Sequence, residues 1–142
     1  MSHASPVLTF LLAVTLAGCA TSQPAPSTYT QLGGATGVEA IVDDLLVKIA
    51  DDDRINRQFA NANIVRLRNM LIEQICAESG GPCTYSGLPM QEAHAGRGID
   101  QAQFNALVED LIAVMTAHGV PVSAQNRLLK RLAPMYRDIV AD

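Results

Sequence analysis

Apolar residues recur every three or four positions in four long segments of this 142-residue chain. In segments 37–50, 64–76, 100–118 and 123–139 this spacing places the apolar side chains on one face of a helix. No segment shows a convincing strand pattern, in which apolar and polar residues would alternate strictly. The periodicity therefore predicts an all-α domain with four substantial helices.

Capping residues and prolines indicate where several helices begin and bend. Asp100 and Gln103 have the spacing of a capping box, which would open the third long helix. Pro89 suits the first position of a short helix that ends near His94. Pro134 lacks a backbone N–H group and therefore predicts a kink in the last helix.

The first 28 residues differ from the rest because they contain no Asp, Glu, Lys or Arg. The apolar run 7–17 is too short to span a bilayer as a helix and is typical of the centre of a secretory signal. It leads into the sequence LAGC at 16–19, which resembles the lipobox of bacterial lipoproteins. The resemblance implies that residues 1–18 are a signal peptide and that Cys19 is acylated after cleavage. The alternative is an ordinary cleaved signal that happens to contain a cysteine.

Residues 19–28 are rich in Pro and Ser, which predicts a lipidated, flexible tether. Residues 29–142 are long enough for one compact domain with its own core. The net charge of −4 lies entirely in this domain and gives no electrostatic reason to expect nucleic-acid binding. We therefore expect an exported protein, anchored through Cys19 to a bacterial membrane, on the periplasmic face of the outer membrane.

Cys76 and Cys83 remain once Cys19 is assigned to the lipobox. In an oxidising compartment, this even pair is expected to form a disulfide. The intervening residues 77–82 include two glycines and are flexible enough to close the loop. A metal-binding pair is the alternative, although no further Cys or His lies close to them in the sequence.

Two histidines, His94 and His118, lie in the predicted domain. Each lies at the end of a predicted helix, where an imidazole can interact with free carbonyl groups. That explanation is sufficient for His118. His94 is followed by a glycine-rich bend and has no second His, Cys or acidic cluster at metal-binding spacing, which argues against a zinc site.

A haem would need only one protein ligand, because the porphyrin supplies four nitrogens to the iron. A single imidazole on an apolar surface fits that requirement, so His94 is the candidate axial ligand. Its second ring nitrogen would then bond to a backbone carbonyl, such as that of Met90. Gly96 and Gly98 would allow the chain to turn sharply toward the next helix.

The domain resembles the group 1 truncated haemoglobins over residues 29–140. Five segments carry the resemblance through their order and spacing: YTQLGGATGVEAIVDD (29–44), FANAN (59–63), GGPCTYSG (80–87), MQEAHAGRGI (90–99) and HGVP (118–121). The resemblance implies a truncated-globin two-over-two helical sandwich that binds haem b, iron protoporphyrin. It implies that His94 is the proximal iron ligand and that Phe59 wedges against the porphyrin.

Further apolar side chains are placed around the haem by the same resemblance. On the proximal side and the pocket floor they are Met90, Ile99, Phe104 and Leu107, for which plain core packing is the alternative. On the distal side they are Leu46, Leu67, Leu71 and Ile75. Arg68 and Arg97 are candidates to contact the haem propionates, and both could equally be surface charges.

The distal side departs from the family pattern. Members commonly have a Tyr at the position of Leu46 and often a Gln or another polar residue at that of Leu71. A hydrogen-bond donor stabilises O2 on ferrous haem by roughly 1–3 kcal/mol. We therefore expect O2 to leave faster and CO and NO to be relatively favoured, unless Tyr85 or Gln74 reaches into the pocket.

These observations predict a membrane-tethered, extracytoplasmic haem protein that binds O2, NO or CO. The role considered for it is NO or reactive-oxygen handling. NO dioxygenase or peroxidase-like turnover would need an unidentified electron donor, and the aliphatic distal face disfavours it. A haem-based sensor or a haem carrier without turnover is the alternative. A third hypothesis is a helical lipoprotein that kept the fold without its cofactor.

Overall fold

The computed structural model describes residues 24–141. The predicted signal peptide, Cys19 and the first part of the tether lie outside the described residues. Among the helices that are described, none combines the length and the apolar character needed to cross a membrane.

The described part of the chain consists of helices and loops and contains no strand, which confirms the all-α prediction. The α-helices are α1 (Thr28–Gln31), α2 (Gly34–Asp51), α3 (Asn56–Phe59), α4 (Ile64–Glu78), α5 (Met90–His94), α6 (Gln101–Ala117), α7 (Val122–Leu132) and α8 (Tyr136–Ile139). A 3₁₀ turn, Ala133–Met135, separates α7 from α8.

Four long helices build the core. Helix α2 packs on α4 and on α6, and α7 packs on α4 and on α6. Each long helix turns an apolar stripe inward, and burial of one large aliphatic side chain stabilises the fold by about 1.5–3 kcal/mol. The fully buried large side chains are Val38, Ile41, Val42, Ile55, Cys76, Met115 and Leu128. This arrangement confirms the predicted sandwich of two helices over two.

Local signals set most of the helix ends. Asp100 and Gln103 form the predicted capping box, with the Gln103 N–H 2.8 Å from Asp100 Oδ1 and the Asp100 N–H 3.2 Å from Gln103 Oε1. The Asn63 side chain caps α4 by accepting from the Arg66 N–H at 3.0 Å. Helix α7 ends at Leu132, just before Pro134, and the chain passes through the 3₁₀ turn there. The missing N–H of Pro134 thus interrupts the predicted last helix, which continues as the short α8 after the 3₁₀ turn.

Helix α2 begins three residues earlier than its apolar pattern indicates, at Gly34 instead of Gly37. The added residues 34–36 are Gly, Ala and Thr, which place no large apolar side chain on the stripe. Gly37 is required where the end of α1 approaches α2, because a Cβ atom there would clash with the carbonyl oxygen of the buried Leu32.

Candidate functional site

His94 is the last residue of α5, and its ring is half-buried. Nδ1 lies 2.8 Å from the carbonyl oxygen of Met90, one helical turn earlier. Because a carbonyl can only accept, Nδ1 carries the proton and donates it. In the neutral imidazole, Nε2 then holds the free lone pair, which is the form that binds a metal ion.

The chain turns back immediately after His94. Gly96 and Gly98 have positive φ angles of 70° and 61°. Residues that carry a Cβ atom rarely adopt this backbone conformation. The turn brings Ile99 beside the end of the chain, where its carbonyl oxygen accepts from the Ala141 N–H at 2.9 Å. As a result, α5 packs against α8.

The loop between α4 and α5 is fastened to α4 at two points. Cys76, buried near the end of α4, forms a disulfide with Cys83, and their Cα atoms are 5.7 Å apart. One turn earlier on α4, Glu73 Oε2 accepts from the Ser86 hydroxyl at 2.7 Å and from the Ser86 N–H at 2.8 Å. The hydrogen bond from the Ser86 hydroxyl lowers the pKa of Glu73 below its ordinary value. Together these bonds fix the segment that leads to His94.

Gly81 lets this loop pass close to the disulfide. A Cβ atom at Gly81 would lie 2.6 Å from the Tyr29 ring and 2.7 Å from Cys76 Sγ. The Tyr29 N–H also donates to the Ser79 carbonyl at 2.9 Å. The N-terminal helix is therefore packed against the same end of α4 as the cross-link.

Two of the predicted distal residues and Phe59, the residue predicted to wedge against the porphyrin, line one apolar cavity of about 230 Å³. Leu46 comes from α2, Phe59 from α3 and Leu67 from α4. Among the eight residues that line this cavity, Asn56 is the polar one, and the other members are Ile49, Ala50, Ala60 and Ile64. The structure therefore brings these parts of the predicted distal face together around a space without charge.

Further along α4, the predicted residues separate. Leu71 is half-buried against the core, whereas Ile75 lies within the core at 3% exposure. Ile75 is turned about 40° from Leu71 around the helix, toward the core side. Gln74 is turned the other way, and its Nε2 donates to Met90 Sδ at 3.4 Å and to Met135 Sδ at 3.2 Å. The amide thus bridges α4 to α5 and to the 3₁₀ turn.

Of the side chains predicted for the proximal side and the pocket floor, Phe104 and Leu107 project from α6 and are half-buried. Leu107 packs against the core. The Phe104 ring meets the Tyr136 ring edge to face, with centroids 5.1 Å apart and planes at 82°. This contact anchors α8 beside the segment that follows His94.

The polar side chains considered for roles near the haem have other partners. Tyr85 donates its hydroxyl to the Leu88 carbonyl at 3.0 Å. Arg68 Nη2 lies 2.9 Å from Asp43 Oδ2, and this guanidinium lowers the pKa of the Asp43 carboxyl. Arg97 donates from Nε to the Ala93 carbonyl at 3.1 Å, and its side chain is exposed.

Several of these contacts had no signal in the sequence. The Glu73–Ser86 and Gln74–Met135 bonds join residues that are distant in the chain or in irregular loops. Asp110 is a further case. It is an acidic residue among the apolar residues of α6, and the structure buries it at 2% exposure. Burial raises its pKa, and the nearby Asp52 adds to the effect. Lys48 Nζ lies 3.5 Å from its Oδ1, and Oδ2 has no hydrogen-bond partner within residues 24–141.

The residues present fit a haem group. Of the nine apolar side chains predicted to surround it, all except Ile75 are half-buried. Large apolar side chains that a domain leaves partly exposed on facing elements are suited to cover an apolar ligand. One imidazole with a free Nε2 supplies the single donor that an iron porphyrin requires.

The two-over-two helical fold with one oriented imidazole defines a small globin. Residues 27–141 match the family model of bacterial-like globins. The group 1 truncated hemoglobin GlbN of Mycolicibacterium paratuberculosis is 33% identical over 118 residues, which are 83% of this chain and 86% of that protein. GlbN of Nostoc commune is 33% identical over 107 residues, 75% of this chain and 91% of that protein. The chain therefore belongs to the truncated haemoglobins of group 1.

Solved structures agree with this assignment. The truncated hemoglobin of Tetrahymena pyriformis, in its Fe(III) form, superposes with a TM-score of 0.79 at 26% identity. The match covers 82% of this chain and 100% of that one.

Proposed function

We propose that this protein is a membrane-tethered, extracytoplasmic haem protein that binds a diatomic ligand, O2, NO or CO. The observation that carries the proposal is the His94 ring. Its Nδ1–H is held by the Met90 carbonyl at 2.8 Å, so that Nε2 is available for iron. Haem b supplies an iron atom with a further coordination position, at which a diatomic molecule binds.

The residues of the chain hold and shield this group. Phe59, Leu46 and Leu67 offer an apolar wall on one side. Met90 and His94 lie on α5, and the fastened loop between α4 and α5 keeps that helix in position. A rigid helix around His94 keeps the orientation of the imidazole constant. Orientation is one way in which a protein tunes an axial ligand.

The distal side chains favour ligand binding over turnover. Leu46, Leu67 and Leu71 have no hydrogen-bond donor. The Gln74 amide is directed to two sulfur atoms and the Tyr85 hydroxyl to a carbonyl. A missing donor costs O2 about 1–3 kcal/mol of binding, so CO and NO are retained better in comparison. This aliphatic face supports a second candidate function, a haem-based sensor or carrier without turnover.

The proposed location rests on the LAGC sequence at 16–19 and on the cysteines. Acylation of Cys19 after export would anchor the protein, and several acyl chains hold a protein at a membrane far better than one. The Cys76–Cys83 disulfide supports an oxidising compartment. The proposed site of action is the periplasmic face of the outer membrane.

The absorption spectrum of the haem-loaded protein tests the iron ligand. We expect His94→Ala to weaken or shift the intense porphyrin band. His118→Ala is the matched control, since His118 is the other histidine of the domain and is paired with Asp44 on the surface at 2.7 Å. Identical spectra for wild type and His94→Ala would refute axial ligation. Loss of the band in both variants would show that the effect is not specific to His94.

A further inference from the structure

The exposed face of α7 is basic. Arg127, Lys130 and Arg131 are three and four residues apart, so they lie on one side of the helix, and all three are exposed. The helix itself, Val122–Leu132, contains no Asp or Glu. This face therefore differs in sign from the chain as a whole, whose net charge is −4.

Two of these three charges have no counter-charge in the described part of the chain. Arg131 pairs with Glu78 at 3.0 Å. Arg127 binds uncharged groups, the Thr28 hydroxyl and the Gln31 amide oxygen, each at 2.9 Å. Lys130 forms no ion pair with any residue between 24 and 141.

The contacts of Arg127 also show where the tether meets the domain. Thr28 and Gln31 belong to α1, which directly follows the tether and packs on α7. No Asp, Glu, Lys or Arg occurs before Glu39, so the tether brings no charge to this face. The nine Cα–Cα steps from Cys19 to Thr28 span at most about 30 Å when the chain is extended. A membrane that holds Cys19 is therefore within reach of α7.

We propose that the basic face of α7 docks on an anionic lipid surface of the phosphatidylglycerol type. The proposal rests on the proposed anchoring at Cys19, because the short tether raises the effective concentration of lipid headgroups near α7 to the millimolar range or above. Each cation near an anionic membrane strengthens the contact about fivefold. Arg127 and Lys130 together give about 25-fold on the same scale. Docking through α7 fixes which side of the domain faces the membrane.

Lysine footprinting tests this orientation with an internal control. The chain has two lysines, Lys130 on α7 and Lys48 on α2. The chain from Cys19 onward is coupled through the Cys19 thiol to a maleimide lipid, since Cys76 and Cys83 are joined to each other. Vesicles contain either phosphatidylcholine alone or equal parts of phosphatidylcholine and phosphatidylglycerol. An amine-reactive reagent and mass spectrometry then give the modification rate of each lysine.

We expect phosphatidylglycerol to slow the modification of Lys130 several-fold relative to Lys48, and high salt to restore it. Arg127→Gln/Arg131→Gln should weaken the contact about fivefold through the loss of Arg127 and so reduce the protection of Lys130. Arg57→Gln/Arg66→Gln removes the same charge from α3 and the start of α4 and should retain it. Circular dichroism checks that both variants fold.

If the ratio of the Lys130 rate to the Lys48 rate is the same on both kinds of vesicle, the proposal is overturned. Equal loss of protection in the two double variants would overturn it as well, because net charge alone would then explain the contact. The thiol is coupled chemically, so the result does not depend on whether a cell acylates Cys19. Mass spectrometry of the cellular protein tests that acylation separately, and the His94→Ala spectrum tests haem binding.

Discussion

Loss of the Cys76–Cys83 disulfide should lower the free energy of unfolding of the domain by an amount that follows from the length of the loop it closes. Cys83→Ser is the suitable change, because Cys83 is half-buried and the remaining Cys76 thiol suits its buried, apolar site. The two cysteines are seven positions apart. Closing a loop of this length lowers the entropy of the unfolded chain by an amount worth about 2.5 kcal/mol at 25 °C. For a domain of this size, the melting temperature should fall by about 10 °C.

Denaturant unfolding, followed by circular dichroism, measures the effect. Wild type in a reductant should unfold like Cys83→Ser, and the variant should not respond to the reductant. Thr84→Ser changes the next, exposed position and should leave the midpoint unchanged. If Cys83→Ser unfolds at the wild-type denaturant concentration, the cross-link does not stabilise the fold by restricting the unfolded chain.

The same variant distinguishes the stability of the whole domain from the positioning of α5 in the folded state. Glu73 and Ser86 still fasten the loop in the folded state, through bonds of 2.7 and 2.8 Å. The rate of haem release from the folded protein should therefore rise by much less than the factor that corresponds to the change in the free energy of unfolding. If the rate of haem release instead rises by the factor that corresponds to the whole change in the free energy of unfolding, the disulfide itself positions His94.

Three further changes have defined outcomes. Leu71→Gln places a donor on the distal face, so stopped-flow dissociation of O2 should slow by about tenfold or more, with little change for CO. Because burial raises the pKa of Asp110, wild type loses stability as the pH rises from the unfolded value of about 3.9 through the folded pKa. In denaturant titrations at several pH values, Asp110→Asn should therefore gain stability relative to wild type over that range. The Ser86 bonds lower the pKa of Glu73. The stability that they contribute is therefore present above the unfolded pKa of about 4.3 and is lost as the pH falls through the folded pKa. In the same titrations, Ser86→Ala should lose less stability than wild type as the pH falls.

The helices were predictable because their signals are local. Apolar spacing located the four long helices, and the Asp100 capping box and Pro134 marked their ends. The first turn of α2, residues 34–36, was missed because Gly, Ala and Thr place no large apolar side chain on the stripe. The periodic signal therefore begins one turn later than the helix.

The candidate site divides in the same way. A lone histidine before a glycine bend, one turn after Met90, is enough to predict the bond that orients the His94 ring. Side chains that project from the same helix could not be separated by type, so Ile75 was grouped with Leu71 although the structure buries it in the core. Gln74 was considered as a distal donor, whereas the structure directs its amide to Met90 and Met135.

The sequence by itself determined the class of fold, the position of each long helix along the chain and the choice of His94 as the candidate ligand for iron. Each of these follows from spacing along the chain or from residue chemistry, which need no knowledge of the partner surface. Only the tertiary structure decided which half-buried side chains share a wall, which polar groups are already satisfied, and that the basic face of α7 lies beside the tether. These depend on the angle at which one helix meets another, and that angle is set by the packing of the whole core.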